Sequence, residues 1–115
     1  MGTNGKTAVL DREQLRNVTL DDADLMREIL AALVDDTSRQ MQLLKSAIHE
    51  EDPLKCMRLA HYSKGACANL GANTAAALLI KIERQAAAGD FGECSRSLAA
   101  LAGEVEALRT EALAF

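Results

Sequence analysis

Apolar residues recur along this chain at spacings of three and four, and no stretch alternates with the period of two that a strand requires. The pattern therefore predicts helices throughout. A weak stretch from Ala8 to Val18, with Val9, Leu10, Leu15 and Val18 as its apolar points, predicts a short helix packed as a lid on something larger. Thr19 followed by Leu20-Asp21-Asp22 reads as the next helix start, with carboxylates in the first turn where the helix dipole favours them. From about Asp21 to Glu50, Leu25, Ile29, Leu33, Met41, Leu44 and Ile48 form one stripe. Asp35-Asp36-Thr37-Ser38 interrupts it and reads as a solvated face, with a break in the helix as the alternative.

Glu51-Asp52-Pro53 closes that helix and opens a third, since Asp is a good N-cap and Pro suits the first helical position. The third helix is predicted from Pro53 to Leu70, with Gly71 as its C-terminal cap. Asn73-Thr74 can cap a fourth, from Thr74 to Ala88, with Leu78, Leu79, Ile82 and Ala86 on its apolar side. Gly89-Asp90 leads into a fifth, from Phe91 to Ala112, carrying Leu98, Leu101, Val105 and Leu108. Long helices joined by short turns predict an all-α fold: an antiparallel up-and-down four-helix bundle with a short N-terminal helix packed on it. Residues 1–7, polar and glycine-bearing, are expected to be disordered, leaving 8–115 as one domain.

Composition narrows the class. The chain has 115 residues, enough for a single core, and is 49% hydrophobic but only 3% aromatic, so that core must be built from small and aliphatic side chains. A net charge of -4 without any basic block argues against a nucleic-acid partner. Cys56, Cys67 and Cys94 match no zinc spacing and are odd in number, which predicts buried, reduced thiols and no metal site. Cys56 and Cys67 share one helix about 16 Å apart and cannot bridge. No apolar run reaches membrane-spanning length and no export signal opens the chain, so a soluble, cytoplasmic protein is expected. The polar start and the helix running to Phe115 favour a complete small protein, and nothing in the pattern demands a dimer, so a monomer is expected.

The chemistry concentrates in Leu59 to Ala72, LAHYSKGACANLGA. At about 100° per residue, Leu54, Met57, Arg58, Lys64, Gly65, Ala68, Asn69 and Ala72 share the side of the helix that carries His61, while Leu59, Ser63, Ala66 and Leu70 lie opposite. The first set is the expected outward face. An exposed imidazole near its reference pKa of about 6.5 is a competent nucleophile toward a phosphoryl group. Lys64, one turn on, would offset the incoming negative charge. Gly65, costly inside a helix by about 1 kcal/mol relative to alanine, would leave room for a large partner. His49, near the end of the second helix, reads simply as a favourable group at a helix C-terminus.

Ala60-His61-Tyr62-Ser63-Lys64-Gly65-Ala66-Cys67-Ala68-Asn69-Leu70-Gly71 resembles the signature of histidine phosphotransfer (HPt) domains of two-component phosphorelays. The resemblance implies that His61 is the phosphoacceptor and that Lys64 and Gly65 support it. It implies a carrier rather than an enzyme, with no cofactor of its own: a response-regulator receiver domain supplies the phosphoaspartate and the magnesium ion. Leu54, Met57, Arg58, Ala68, Asn69 and Ala72 are then candidates for the docking surface. The chain departs from the family pattern at Ser63, where leucine is common; its hydroxyl can bond back to a carbonyl one turn earlier, with Tyr62 a candidate to fill the volume. Two alternatives share the fold: a phosphoacceptor domain separated from a chemotaxis-type histidine kinase, and a receiver-docking adaptor that is not phosphorylated. No Gly-rich nucleotide loop is present, so the chain is not expected to use ATP itself.

Overall fold

In the computed structural model, which describes residues 9–115, five helices follow one another and no strand occurs among the described residues. They are α1 (Arg12–Val18), α2 (Ala23–His49), α3 (Pro53–Asn69), α4 (Asn73–Ala87) and α5 (Phe91–Leu113). The expected disorder of residues 1–7 lies outside the described residues. α2 packs on α3, α3 on α4, α4 on α5 and α5 back on α2, closing a ring of four long helices into a helical bundle.

Aspartate starts four of the five helices. Asp11, Asp22, Asp52 and Asp90 each accept a hydrogen bond from the backbone N–H three residues on, satisfying a first-turn donor. Such a cap is worth about 1 kcal/mol. Two starts differ from the sequence expectation. Thr19 ends α1 instead of opening α2: it is buried, and its hydroxyl donates to the Leu15 carbonyl at 2.7 Å. The chain then turns through Leu20 and Asp21, both with positive φ, before Asp22 caps α2. α4 begins at Asn73, with Ala72 at the cap position and no side-chain cap bond.

The core is aliphatic and thin. Leu15, Leu30, Leu44, Leu79, Ile82, Leu101 and Leu108 fill it, with alanines and all three cysteines between them. The aromatic residues contribute little, Phe91 and Phe115 being half-buried and Tyr62 exposed. Leu25 and Val18, expected to face inward, are largely exposed. α2 runs through Asp35–Ser38 without a break, and Thr37 turns inward, its hydroxyl 3.9 Å from the Cys67 sulfur. Burial pushes all three thiols up, Cys56 to about 11, which keeps them protonated and unreactive.

α1 is fixed to the end of α3. The Asp11 N–H donates to the Gly71 carbonyl at 2.8 Å, and the Gln14 side-chain amide donates to the Ala68 carbonyl at 2.6 Å. The first bond takes up the carbonyl of the turn residue Gly71, and the second adds to the Ala68 carbonyl in the last turn of α3. Gly71 is required at this junction: its φ is +87°, and a Cβ there would lie 2.7 Å from the Asp11 carbonyl oxygen. Arg12 extends the attachment to α5, pairing with Glu111 at 2.6 Å and lying 4.6 Å from the centre of the Phe115 ring.

Candidate functional site

α3 presents His61 to solvent because its inward side is made of small residues. Cys56, Ala60, Ser63 and Cys67, spaced by three and four, are the buried positions. The core-facing set expected from sequence was rotated from this: Ser63 is buried as expected, whereas Leu59, Ala66 and Leu70 are only half-buried. His61 sits well away from the buried row, with its side chain 66% exposed.

Two charged groups converge on one atom of the ring. The ammonium of Lys64, one turn along α3, lies 3.2 Å from His61 Nδ1. A carboxylate oxygen of Glu83, from α4, lies 3.4 Å from the same nitrogen, and the other oxygen of Glu83 lies 3.9 Å from the Lys64 ammonium. Among the described residues, Nδ1 takes both polar contacts of the ring. Gly65 completes the outward face, with no atom within 4 Å of where a Cβ would stand. Nothing inside the described chain therefore calls for glycine at Gly65, in contrast to Gly71.

Glu83 was not anticipated from sequence, because it lies 22 residues beyond His61 on another helix. Its signal is positional: α3 and α4 reverse direction about Gly71, so residues about equally far on either side of that turn come level. The same geometry adds a shallow recess beside the imidazole, where Met57 and Lys64 of α3 face Ile80, Glu83, Arg84 and Ala87 of α4.

Of the surface positions expected around His61, Leu54, Arg58, Ala68 and Asn69 are exposed and Met57 is half-buried. Ala72 is a correction. It is fully buried, because α3 stops at Asn69 and the left-handed turn at Gly71 takes the chain off the helical wheel that placed Ala72 outward. Tyr62 is a second correction: at 56% exposure it lies on the surface next to His61 and does not fill space around Ser63. The Ser63 hydroxyl is buried without a hydrogen-bond partner, so the expected bond to the preceding turn is not made.

Fold and site together define a small helical module that holds one imidazole at its surface between a lysine and a glutamate. The sequence profile of the Hpt domain matches residues 28–111, and the chain belongs to that family of phosphotransfer domains. Among solved structures, histidine-containing phosphotransfer protein B from Pseudomonas aeruginosa PAO1 superposes with a TM-score of 0.81 at 21% identity, covering 93% of this chain and 96% of that one. A rice protein assigned as a histidine-containing phosphotransfer protein superposes with a TM-score of 0.83 at 18% identity, covering 95% and 80%. At these identities the likeness establishes the fold. No curated protein matches in sequence.

Proposed function

We propose that this chain is a phosphorelay carrier in which His61 takes a phosphoryl group from a receiver-domain aspartate and passes it to another receiver domain. The observation that carries the reading is the exposed imidazole whose Nδ1 is engaged by Lys64 and Glu83, beside the open backbone at Gly65. With the ring proton held on Nδ1 by the Glu83 carboxylate, Nε2 keeps its lone pair and is the nitrogen that meets a partner. In the transfer, the Nε2 lone pair attacks phosphorus, the N–P bond forms as the P–O bond to the aspartate breaks, and the aspartate leaves as a carboxylate. Lys64 offsets the charge of the bound phosphoryl group. The magnesium ion for this step is assigned to the receiver domain, and no step uses ATP on this chain.

The docking surface is assigned to the face around His61: Leu54, Met57, Arg58, Ala68 and Asn69 on α3, with Tyr62 added. The α4 side of the recess, through Ile80 and Arg84, extends it beyond a single helix. Exposed Leu54 and Tyr62 supply the large apolar side chains on this face. The ring of four helices is read as an antiparallel up-and-down bundle with α1 as its lid. No helix of the described residues is long and apolar enough to cross a membrane, and a cytoplasmic location is proposed on the strength of the receiver partners.

The test is incubation of the purified chain with a receiver domain carrying radiolabelled phosphoaspartate. Label on this chain that is stable to base, labile to acid and absent from His61→Ala is the expected result. Label that persists in His61→Ala, or no label from any of several receivers, rejects the relay reading; uptake from a kinase and ATP alone would then favour the kinase-fed alternative.

A further inference from the structure

Charge is divided between the two sides of the ring of helices. α3 and α4 carry Lys55, Arg58, Lys64, Lys81 and Arg84 against one carboxylate, Glu83. α2 and α5, on the opposite side, carry eight carboxylates against five cations. A chain of net charge -4 therefore has one positive side, and His61 stands on it. Pairing sharpens the division. Among the described residues, every lysine and arginine lies within 4.0 Å of a carboxylate except Lys45, Arg58, Lys81 and Arg84. All four are exposed, and only Lys45 belongs to the α2–α5 side.

Two of the unpaired guanidiniums flank the imidazole. Glu83 lies 3.4 Å from His61 Nδ1, so Arg84, its neighbour on α4, comes level with the ring and lines the recess beside it together with Lys64. Arg58 precedes His61 by one turn, about 4.5 Å along α3. At about 100° per residue it stands about 60° from His61 on the side away from Lys64, which leaves His61 between Arg58 and Arg84. The acidic ends of this side are farther off. Asp52 caps α3 nine residues before His61, and Asp11 is bonded to Gly71 ten residues after it, each about 13–15 Å along the helix. With a Debye length of about 8 Å at physiological ionic strength, a body approaching His61 senses the two arginines and little of the acidic ends or the far side. Exposed Leu54 and Tyr62 on the same face would gain nothing from a bare anion, so the complementary occupant is a protein surface that sets carboxylates around an apolar patch.

We propose that the α3–α4 side selects receiver domains whose docking surface carries carboxylates around the phosphoaspartate, with Arg58 and Arg84 as the residues that set the preference. The inference rests on the relay reading and names the chemistry of its partner. Two proteins of net negative charge repel at a distance, and a positive side on one of them offsets that repulsion while turning the His61 face toward the other. Steering of this kind raises association rates by about 10- to 1000-fold and fades as salt is added. Charges at the rim of an interface act on the rate of association more than on the strength of the complex.

The test is the second-order rate of phosphoryl transfer to the full chain from receiver domains of net negative charge that carry radiolabelled phosphoaspartate, measured from low salt to 1 M. The wild-type rate is expected to fall about tenfold or more across that range. Arg58→Glu and Arg84→Glu, both between good helix formers, are each expected to slow transfer about threefold at low salt and together about tenfold, with helical circular dichroism unchanged. The difference from wild type should close at 1 M, where the Debye length is about 3 Å. Lys45→Glu makes the same change of charge on the α2–α5 side and is expected to stay within about twofold of wild type. A rate indifferent to salt, or reversals no slower than Lys45→Glu, overturns the proposal and leaves the relay reading standing. No transfer from any of several receivers overturns the relay reading and the proposal with it. Binding to phosphatidylserine vesicles that the two reversals abolish, with transfer unaltered, overturns it in favour of a lipid surface.

Discussion

A Glu83 carboxylate oxygen and the Lys64 ammonium approach the same atom, His61 Nδ1, and require opposite things of it. The ammonium can only donate, which leaves the ring proton on Nε2 and removes the outward lone pair. The carboxylate can only accept, which fixes the proton on Nδ1 and frees Nε2 to attack. The proposed transfer requires the second tautomer, and so assigns Glu83 to hold the proton on Nδ1 and Lys64 to the arriving phosphoryl group. Glu83→Ala is expected to shift His61 toward the Nε2–H tautomer, read from ring ¹⁵N chemical shifts. Phosphoryl uptake should slow by about 10- to 100-fold, by analogy with a metal-bound histidine that loses its orienting partner. Unchanged ring shifts would show that Glu83 has no hold on the tautomer.

Gly65 separates stability from transfer. With nothing within 4 Å of its Cβ position, Gly65→Ala should raise stability by about 1 kcal/mol through helix propensity alone. Gly65→Leu should keep the fold and block transfer, because the added side chain projects into space that a docking partner needs. Thermal melts and the receiver transfer assay, run side by side, read the two effects independently; a Gly65→Leu variant that transfers normally would remove the steric role.

Gly65 is legible within one helix, whereas Glu83 is not. Helix number, the Asp52-Pro53 start and the exposure of His61 and Gly65 follow from local rules, because capping and 3.6-residue periodicity act within one helix; Lys64 is half-buried, since α4 packs beside it. Glu83 depends on how α3 and α4 pair, which a single helical wheel does not contain. Ala72 was misplaced because the wheel was carried past a glycine that ends the helix. The rotation of the α3 core face arose because Cys56, Ala60 and Cys67 outrank Leu59 and Leu70 for burial: close helix packing favours small side chains over larger, more hydrophobic ones.

Gly71 should not tolerate substitution. Gly71→Ala combines a left-handed backbone, about 1–2 kcal/mol for a residue with a Cβ, with a 2.7 Å approach to the Asp11 carbonyl oxygen. The expected result is a destabilised protein with α1 detached from the end of α3. Hydrogen exchange should show loss of protection in α1 before the long helices, and exchange that accelerates uniformly would mean that α1 is not a separable lid.

The buried thiols set an alkaline limit. Cys56 has an ordinary pKa of 9.0 that burial, with Cys94 and Asp52 nearby, raises to about 11. Between those values the unfolded chain has lost a proton that the folded chain keeps, so stability is full below about pH 9 and falls as pH rises toward 11. Cys56→Ala should flatten that part of the pH–stability curve, measured by urea denaturation, even though it lowers stability at neutral pH by opening a small cavity. A curve equally steep in the variant would assign the alkaline loss to other groups.

Ser63 tests whether the core beneath His61 is tuned for stability. Its hydroxyl is buried with no hydrogen-bond partner, and a buried hydroxyl left unpaired costs about 1–3 kcal/mol in lost hydration. Removing the oxygen alone takes away that cost while leaving only a void of one atom, so Ser63→Ala should stabilise the protein by about 1 kcal/mol in urea denaturation. Alanine is also the better helix former, which acts in the same direction. Because Ser63 points away from His61, Lys64 and Glu83, the rate of phosphoryl transfer should be unchanged. A loss of stability would mean that the hydroxyl is paired in solution, and a loss of transfer at unchanged stability would mean that this position governs how α3 presents the imidazole.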